Sequence, residues 1–189
     1  ANALVLTVMR ALGAGASVGL SRRFSASRFW DDVRKYNATS FNALGAMIPI
    51  LMKQPEREND AENSVRLVLS AACPAHLWEQ FEKRFGVTIW EGYGAVDGAG
   101  FSLFNAGNAP VGSMGKAPEG VTARVFDEEN NELPAGEVGE LVFKIDNLEL
   151  RKVEYYKNET ASSDKIRDGW LHTGDLVYAD EEGNFYFVD

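Results

Sequence analysis

The chain has 189 residues, 45% of them hydrophobic and 25% charged, which allows a proper buried core in one large domain or two small ones. Its net charge of −9 argues against a sequence-independent grip on nucleic acid phosphates or anionic lipid. A single cysteine, Cys73, excludes an internal disulfide and any Cys-based zinc cluster, and fits a reducing, cytoplasmic compartment. No apolar run reaches the roughly 18 residues of a membrane span, and the first segment, which contains Arg10, lacks the basic start of a signal peptide.

In chain order, Leu4, Val5, Val8, Met9 and Leu12 recur at helical spacing, so residues 1–12 read as a helix that Gly13 and Gly15 stop. Residues 16–20 read as a short buried strand. Ser25 or Ser27 is placed to cap a helix whose Phe29, Trp30, Val33 and Tyr36 share one face. A second short strand is expected over 39–44, a helix around Pro49 through Met52, and a charged surface loop over 56–63. Residues 65–69 read as a buried strand, followed by S-A-A-C-P (70–74) and a helix over 75–85. The stretch from Val87 to Trp90 is a strand that Gly92-Tyr93-Gly94 breaks. Strand and helix alternate four times, which implies a doubly wound, mostly parallel sheet with helices on both faces.

The texture changes after about Asn105, where Gly107, Pro110, Gly112, Gly115, Pro118 and Gly120 punctuate a loop region. Strands are expected over 123–126 and 139–145, a turn over 127–131, a helix over 158–165, and a hairpin joining 176–178 to 184–188. The expected division is therefore an α/β subdomain over 1–108 and a smaller, mostly antiparallel β subdomain over 109–189. The chain opens inside a helix and stops inside a strand, which reads as a piece cut from a longer protein.

Three stretches carry candidate chemistry. In S-A-A-C-P, small side chains ahead of a helix N-terminus let a flat ring approach the backbone and favour an anion, although tight helix–sheet packing explains them equally well. Cys73 lies where a thiol pKa can fall, but no catalytic His is placed near it, so it reads as a small packing residue; His76 reads as a helix surface residue. In E-G-Y-G-A-V-D (91–97), Tyr93 between two glycines offers an exposed ring to a base, and Asp97 can accept a hydrogen bond or hold Mg²⁺ through oxygen. In G-W-L-H-T-G-D (169–175), Thr173-Gly174 turns the chain and presents Asp175, whose carboxylate can accept from both hydroxyls of a ribose. The plainer alternatives are a turn-capping Asp175 and a His172 that is an ordinary turn residue.

Together these pieces, with G-S-M-G-K-A-P-E-G (112–120) and G-E-V-G-E-L-V-F (136–143), resemble the adenylate-forming acyl-CoA synthetase (AMP-dependent synthetase/ligase) superfamily, essentially end to end. In texture the chain is most similar to carnitine/crotonobetaine-CoA ligases, through F-S-A-S-R-F-W-D-D-V-R-K-Y-N-A-T (24–39), I-P-I-L-M-K-Q-P (48–55) and D-E-E-G-N-F-Y-F-V-D (180–189). The resemblance implies a fragment of a large N-terminal domain that makes an acyl-adenylate from ATP and a carboxylic acid, then transfers the acyl group to coenzyme A. By the same resemblance Ala72, Cys73, Glu91, Gly92, Tyr93 and Gly94 line an adenine pocket, with Phe187 near the nucleoside. Asp175 takes the ribose hydroxyls, and Asp97 stands at the catalytic acid that binds Mg²⁺.

The sequence departs from that family at three places. Val96 replaces a Thr whose hydroxyl meets the α-phosphate. Asp97 replaces a Glu. No S-S-G-T-T-G-x-P-K phosphate loop occurs, and the chain stops at Asp189, where the family has its hinge Asp-Arg, ahead of a domain bearing a catalytic Lys. The isolated chain is accordingly expected to be inert. Two other readings share the motifs: a non-catalytic nucleotide-binding or interaction protein on this scaffold, and a peptide-synthetase adenylation module.

Overall fold

The computed structural model describes residues 3–144 and 153–188. Residues 1 and 2, Ile145 and the expected hinge residue Asp189 lie outside the described residues. Two compact units result, Ala1–Glu91 and Gly92–Asp189. The division thus falls inside a strand, well before the change of texture in the sequence.

The first unit begins with a π-type helical segment, Ala3–Met9, that continues as α1 (Arg10–Gly13). After it come α2 (Phe29–Lys35), β1 (Ser40–Leu44), α3 (Met47–Met52), β2 (Leu67–Ala71), α4 (Ala75–Phe85) and β3 (Thr88–Ala95). β1 pairs parallel with β2, Ser40 opposite Leu67, and β2 pairs parallel with β3, Leu67 opposite Thr88. Alternate residues Ala43, Val68 and Ile89 face one core with Trp30 and Val33 of α2, Ile48 and Leu51 of α3, and Trp78, Phe81 and Phe85 of α4. The Trp30 ring stacks on Phe85 with centroids 4.4 Å apart. Asn42 lies between Phe41 and Ala43 and so points to the other face, where its amide donates to Thr7 Oγ1 at 2.8 Å. The first helical segment therefore covers the second face, and helices flank the sheet on both sides.

A buried ion pair locks this unit. Arg84 on α4 donates to Asp60 Oδ2 at 2.7 Å and to the carbonyls of Met52, Gln54 and Pro55, each at 3.0 Å. It thereby ties α4 to the chain that leaves α3.

Several local expectations change. Residues 16–20 form no strand, and Leu20 is 79% exposed. An apolar run of five residues becomes a strand only beside a partner, and β1 has its partner in β2. Neither Ser25 nor Ser27 caps α2: its N-cap is Arg28, with no side-chain bond, and the two serine hydroxyls face each other instead. β3 is not broken at Gly92-Tyr93-Gly94 but runs through to Ala95. Ladder pairing outweighs the weak local preference of two glycines.

The second unit takes β3 on from Gly92. Four residues then lead to β4 (Gly100–Asn105), the edge strand in the order β1-β2-β3-β4. The other elements are β5 (Ala123–Phe126), β6 (Gly139–Lys144), α5 (Glu159–Lys165), β7 (Ile166–Arg167), β8 (Trp170–Ala179) and β9 (Phe185–Phe187). They form an antiparallel sheet in the order β5-β6-β8-β7, with β9 on β8. Its core holds Tyr93, Leu103, Val125, Leu141, Phe143, Leu171, Val177 and Phe185. Both expected turns are tied by an aspartate: Asp127 Oδ1 accepts from the amides of Glu129 and Asn131, and Asp180 Oδ1 from those of Glu182 and Asn184. Asn158 caps α5 through the Ala161 amide at 3.1 Å.

Candidate nucleotide-binding site

The motif residues fall in two groups, one in each unit. In the first, Ala72 and Cys73 form the loop between β2 and the N-terminus of α4. Glu91, buried on β3, reaches that loop: its Oε1 accepts from the Ala72 amide at 2.5 Å, and its carboxylate lies 3.3 and 3.4 Å from the Cys73 amide. Burial raises the Glu91 carboxyl above its usual range against the opposing pull of Ser70 and these amides. Glu91 therefore braces the loop, and the Cys73 thiol is pushed up to about 12 by burial and by Glu91 and Glu82, in keeping with a packing residue. Cys73 belongs to the first core, and His76 is exposed, both as expected.

Ala72 sits at φ +66°, a region its Cβ disfavours by about 1–2 kcal/mol. The carboxylate brace holds it there. Ala72→Gly is expected to remove that strain, offset in part by the roughly 0.4–1 kcal/mol that greater freedom of the unfolded chain costs. Urea unfolding should show a variant equal to or up to about 1 kcal/mol more stable than the native chain; clear destabilisation would mean the loop is not held as described.

In the second unit the structure brings Tyr93 and Asp175 together. The Tyr93 hydroxyl donates to Asp175 Oδ2. Its ring is not the exposed platform expected between two glycines: Tyr93 is 8% exposed and packs on Phe143, centroids 6.2 Å apart. Since β3 continues as a strand, residue 93 points into the core while Gly92 and Gly94 occupy the opposite face. Burial, and then the Asp175 carboxylate, push the Tyr93 phenol well above its ordinary range, so it remains a donor.

Asp175 is presented by a bulge, not by a turn at a strand end. On β6 only Leu141 separates Glu140 from Val142, but on β8 their partners Leu176 and His172 are separated by three residues, Thr173, Gly174 and Asp175. Gly174 takes φ +84°, which an L side chain resists. The bulge is clamped from both sides. Glu140 Oε1 accepts from the Gly174 amide at 2.8 Å, Thr173 Oγ1 donates to the Leu141 carbonyl at 2.7 Å, and the same oxygen accepts from the Asp175 amide at 3.1 Å. His172, buried in β8, lies with Nδ1 2.7 Å from Glu140 Oε2 and 2.9 Å from an Arg167 nitrogen. Glu140 and Thr173 thus position Asp175; Glu140 lies in the G-E-V-G-E-L-V-F stretch, but its clamping role carried no sequence signal because its partners His172 and Gly174 lie more than thirty positions away.

Asp97 follows β3 and lies against α5. Its Oδ2 accepts from the Tyr155 hydroxyl at 2.5 Å and pairs with Lys165 Nζ at 2.9 Å. Burial raises the Asp97 carboxyl, but Tyr155 and Lys165 more than reverse this and hold it below the usual carboxylate range. Tyr155 and Lys165 carried no sequence signal. Val96 is 82% exposed, and Phe187, on β9 opposite Val177, is about half exposed.

An α/β unit of parallel strands followed by a curled antiparallel sheet that carries a clamped aspartate defines the class to which the comparisons point. The family model described as AMP-binding enzyme matches residues 1–149, and the chain belongs to that family. It is 41% identical to a steroid-22-oyl-CoA synthetase of Rhodococcus jostii (strain RHA1) over 99% of its own length, and 38% identical to a crotonobetaine/carnitine–CoA ligase of Shigella sonnei (strain Ss046) over 96%. It spans 36% of the length of each of these relatives. Among solved structures, a benzoate CoA ligase from Burkholderia xenovorans LB400 superposes with a TM-score of 0.81 at 25% identity, covering 94% of this chain and 36% of that one. ATP-bound MatB from Rhodopseudomonas palustris gives 0.81 at 25% identity, covering 98% and 37%.

Proposed function

We propose that this chain is the nucleotide- and acid-pocket portion of an AMP-forming carboxylic acid–CoA ligase, which joins an acid to ATP as an acyl-adenylate and passes the acyl group to coenzyme A. The observation that carries this reading is Asp175: a carboxylate held on a clamped bulge, with acceptor capacity beyond the one bond from Tyr93. A group fixed in this way suits two vicinal ribose hydroxyls. In this reading Gly92 to Gly94 approach the nucleotide through backbone and Phe187 lies near the nucleoside; within the first unit Glu91 holds the loop of Ala72 and Cys73. Mg²⁺ arrives with the ATP phosphates, as part of the substrate. The acid is a carnitine- or crotonobetaine-like one, or another of small to medium size, in keeping with the ligase of Shigella sonnei among the relatives. The enzyme works in the cytoplasm.

Adenylation rests on positioning and charge stabilisation of the transferring group, and the donors for that lie largely in segments this chain does not contain. The complete ligase should catalyse acid-dependent ATP–pyrophosphate exchange, and the 189-residue chain alone should not. Absence of exchange from the complete protein with every acid tried would overturn the ligase reading.

One observation favours a second reading, a non-catalytic nucleotide binder: Val96 presents an exposed apolar side chain where a hydroxyl is expected. Val96→Thr in the complete protein separates the two. A hydrogen bond to a charged phosphate contributes about 1.5–3 kcal/mol, so an active ligase should gain roughly tenfold or more in exchange rate. A binder should gain none.

A further inference from the structure

We propose that the positive charge at Asp97 is Lys165, and that this acid is an ion-paired anchor that takes no divalent metal ion. Lys165 is the last residue of α5, and its side chain is 9% exposed. An ammonium so far from water must be compensated, because the desolvation cost of an unpaired ion is several kcal/mol. Asp97 supplies the compensation at 2.9 Å, and the Thr173 carbonyl accepts a further bond at 3.3 Å. Asp97 Oδ2, the oxygen facing the ammonium, also takes the Tyr155 hydroxyl, so the lone pairs of that oxygen are committed, while the carboxylate side chain is 34% exposed. Mg²⁺ requires near-octahedral oxygen ligands at about 2.0–2.1 Å, and a fixed ammonium beside the same oxygen repels it. No group of three His, Cys, Asp or Glu able to hold a metal occurs among the described residues.

The pairing has a positioning consequence. Lys165 joins the segment after β3, through Asp97, to the Thr173 carbonyl of the bulge, and the Thr173 hydroxyl holds the Asp175 amide. One buried cation thus fixes two acidic positions to each other. The cluster is a property of this chain and requires no nucleotide.

The test is a double-mutant cycle on the chain with Asp97→Asn and Lys165→Met, read by melting temperature with and without millimolar Mg²⁺, and with Mn²⁺ as a paramagnetic probe. Each single variant should lower the melting temperature, and the double variant should fall by clearly less than the sum, since neither leaves the other's charge unpaired. Mg²⁺ should not shift the native melting temperature, and Mn²⁺ should not selectively broaden the amide resonances around Asp97 and Tyr155. Lys165→Arg, which keeps the charge, guards against a variant that merely fails to fold and should retain most of the stability. Additive single effects would overturn the proposal. So would a Mg²⁺-dependent rise in melting temperature, or Mn²⁺ broadening around Asp97, that Asp97→Asn abolishes.

Discussion

On the ligase reading proposed above, replacing Asp175 by Ala in the complete protein should raise the KM for ATP roughly ten- to a hundredfold, the factor that corresponds to losing about 1.5–3 kcal/mol of charge-assisted hydrogen bonding. The kcat should fall far less. In that reading the ribose is bound alike in ATP and in the acyl-adenylate, so Asp175 makes a uniform-binding contact whose loss appears in KM. The KM for the acid should hardly change, and an ATP analogue without ribose hydroxyls should be used about as well as ATP by the variant. Tyr93 supplies the control. Its hydroxyl donates to Asp175, so Tyr93→Phe removes that bond while leaving the carboxylate in place. Steady-state kinetics with the two variants separates the roles. Normal ATP affinity with a lowered melting temperature in Asp175→Ala would reduce the aspartate to a partner for a buried tyrosine.

The largest effect on stability is expected from Arg84→Ala. The guanidinium and Asp60 are 10% and 9% exposed in their side chains, and three backbone carbonyls also depend on Arg84. Removing it leaves a buried carboxylate without a counter-charge, which costs about 3–5 kcal/mol. Denaturant unfolding of the chain should show a loss of this size, and Asp60→Ala should approach it. Replacing both partners by apolar residues of similar size should cost much less than the two single changes added together. A loss under about 1 kcal/mol for Arg84→Ala would place the pair in the class of solvated surface bridges.

Where local chemistry was sufficient, the elements follow the sequence closely. The helix expected over 75–85 is α4, because Trp78, Phe81 and Phe85 share one face and Gly86, at φ +65°, ends it. The helix expected over 158–165 is α5 with Asn158 as its cap, and the hairpin around Asp180 forms as expected because one carboxylate binds two amides of its own turn. The family motifs were likewise legible, and the AMP-binding match agrees with them. Each of these features lies within a window of a few residues whose side chains and backbone are partners of one another.

The site was legible only in part, because its partners are far apart in the chain. Tyr93 looked exposed between two glycines, but its direction depends on whether β3 continues, and this is decided by strand pairing. Asp175 looked like a turn residue, whereas the bulge that presents it exists only against β6, with Glu140 as its clamp. Asp97 read as an acid able to accept a hydrogen bond or to hold Mg²⁺, and its actual partners, Lys165 and Tyr155, lie some sixty positions away. Most helices, the aspartate-tied turns and the acids available for chemistry were legible along the chain, because those depend on neighbouring residues. Which acids are paired depends on long-range folding, because a carboxylate's charge is balanced by whatever donors the fold brings within about 3 Å of it.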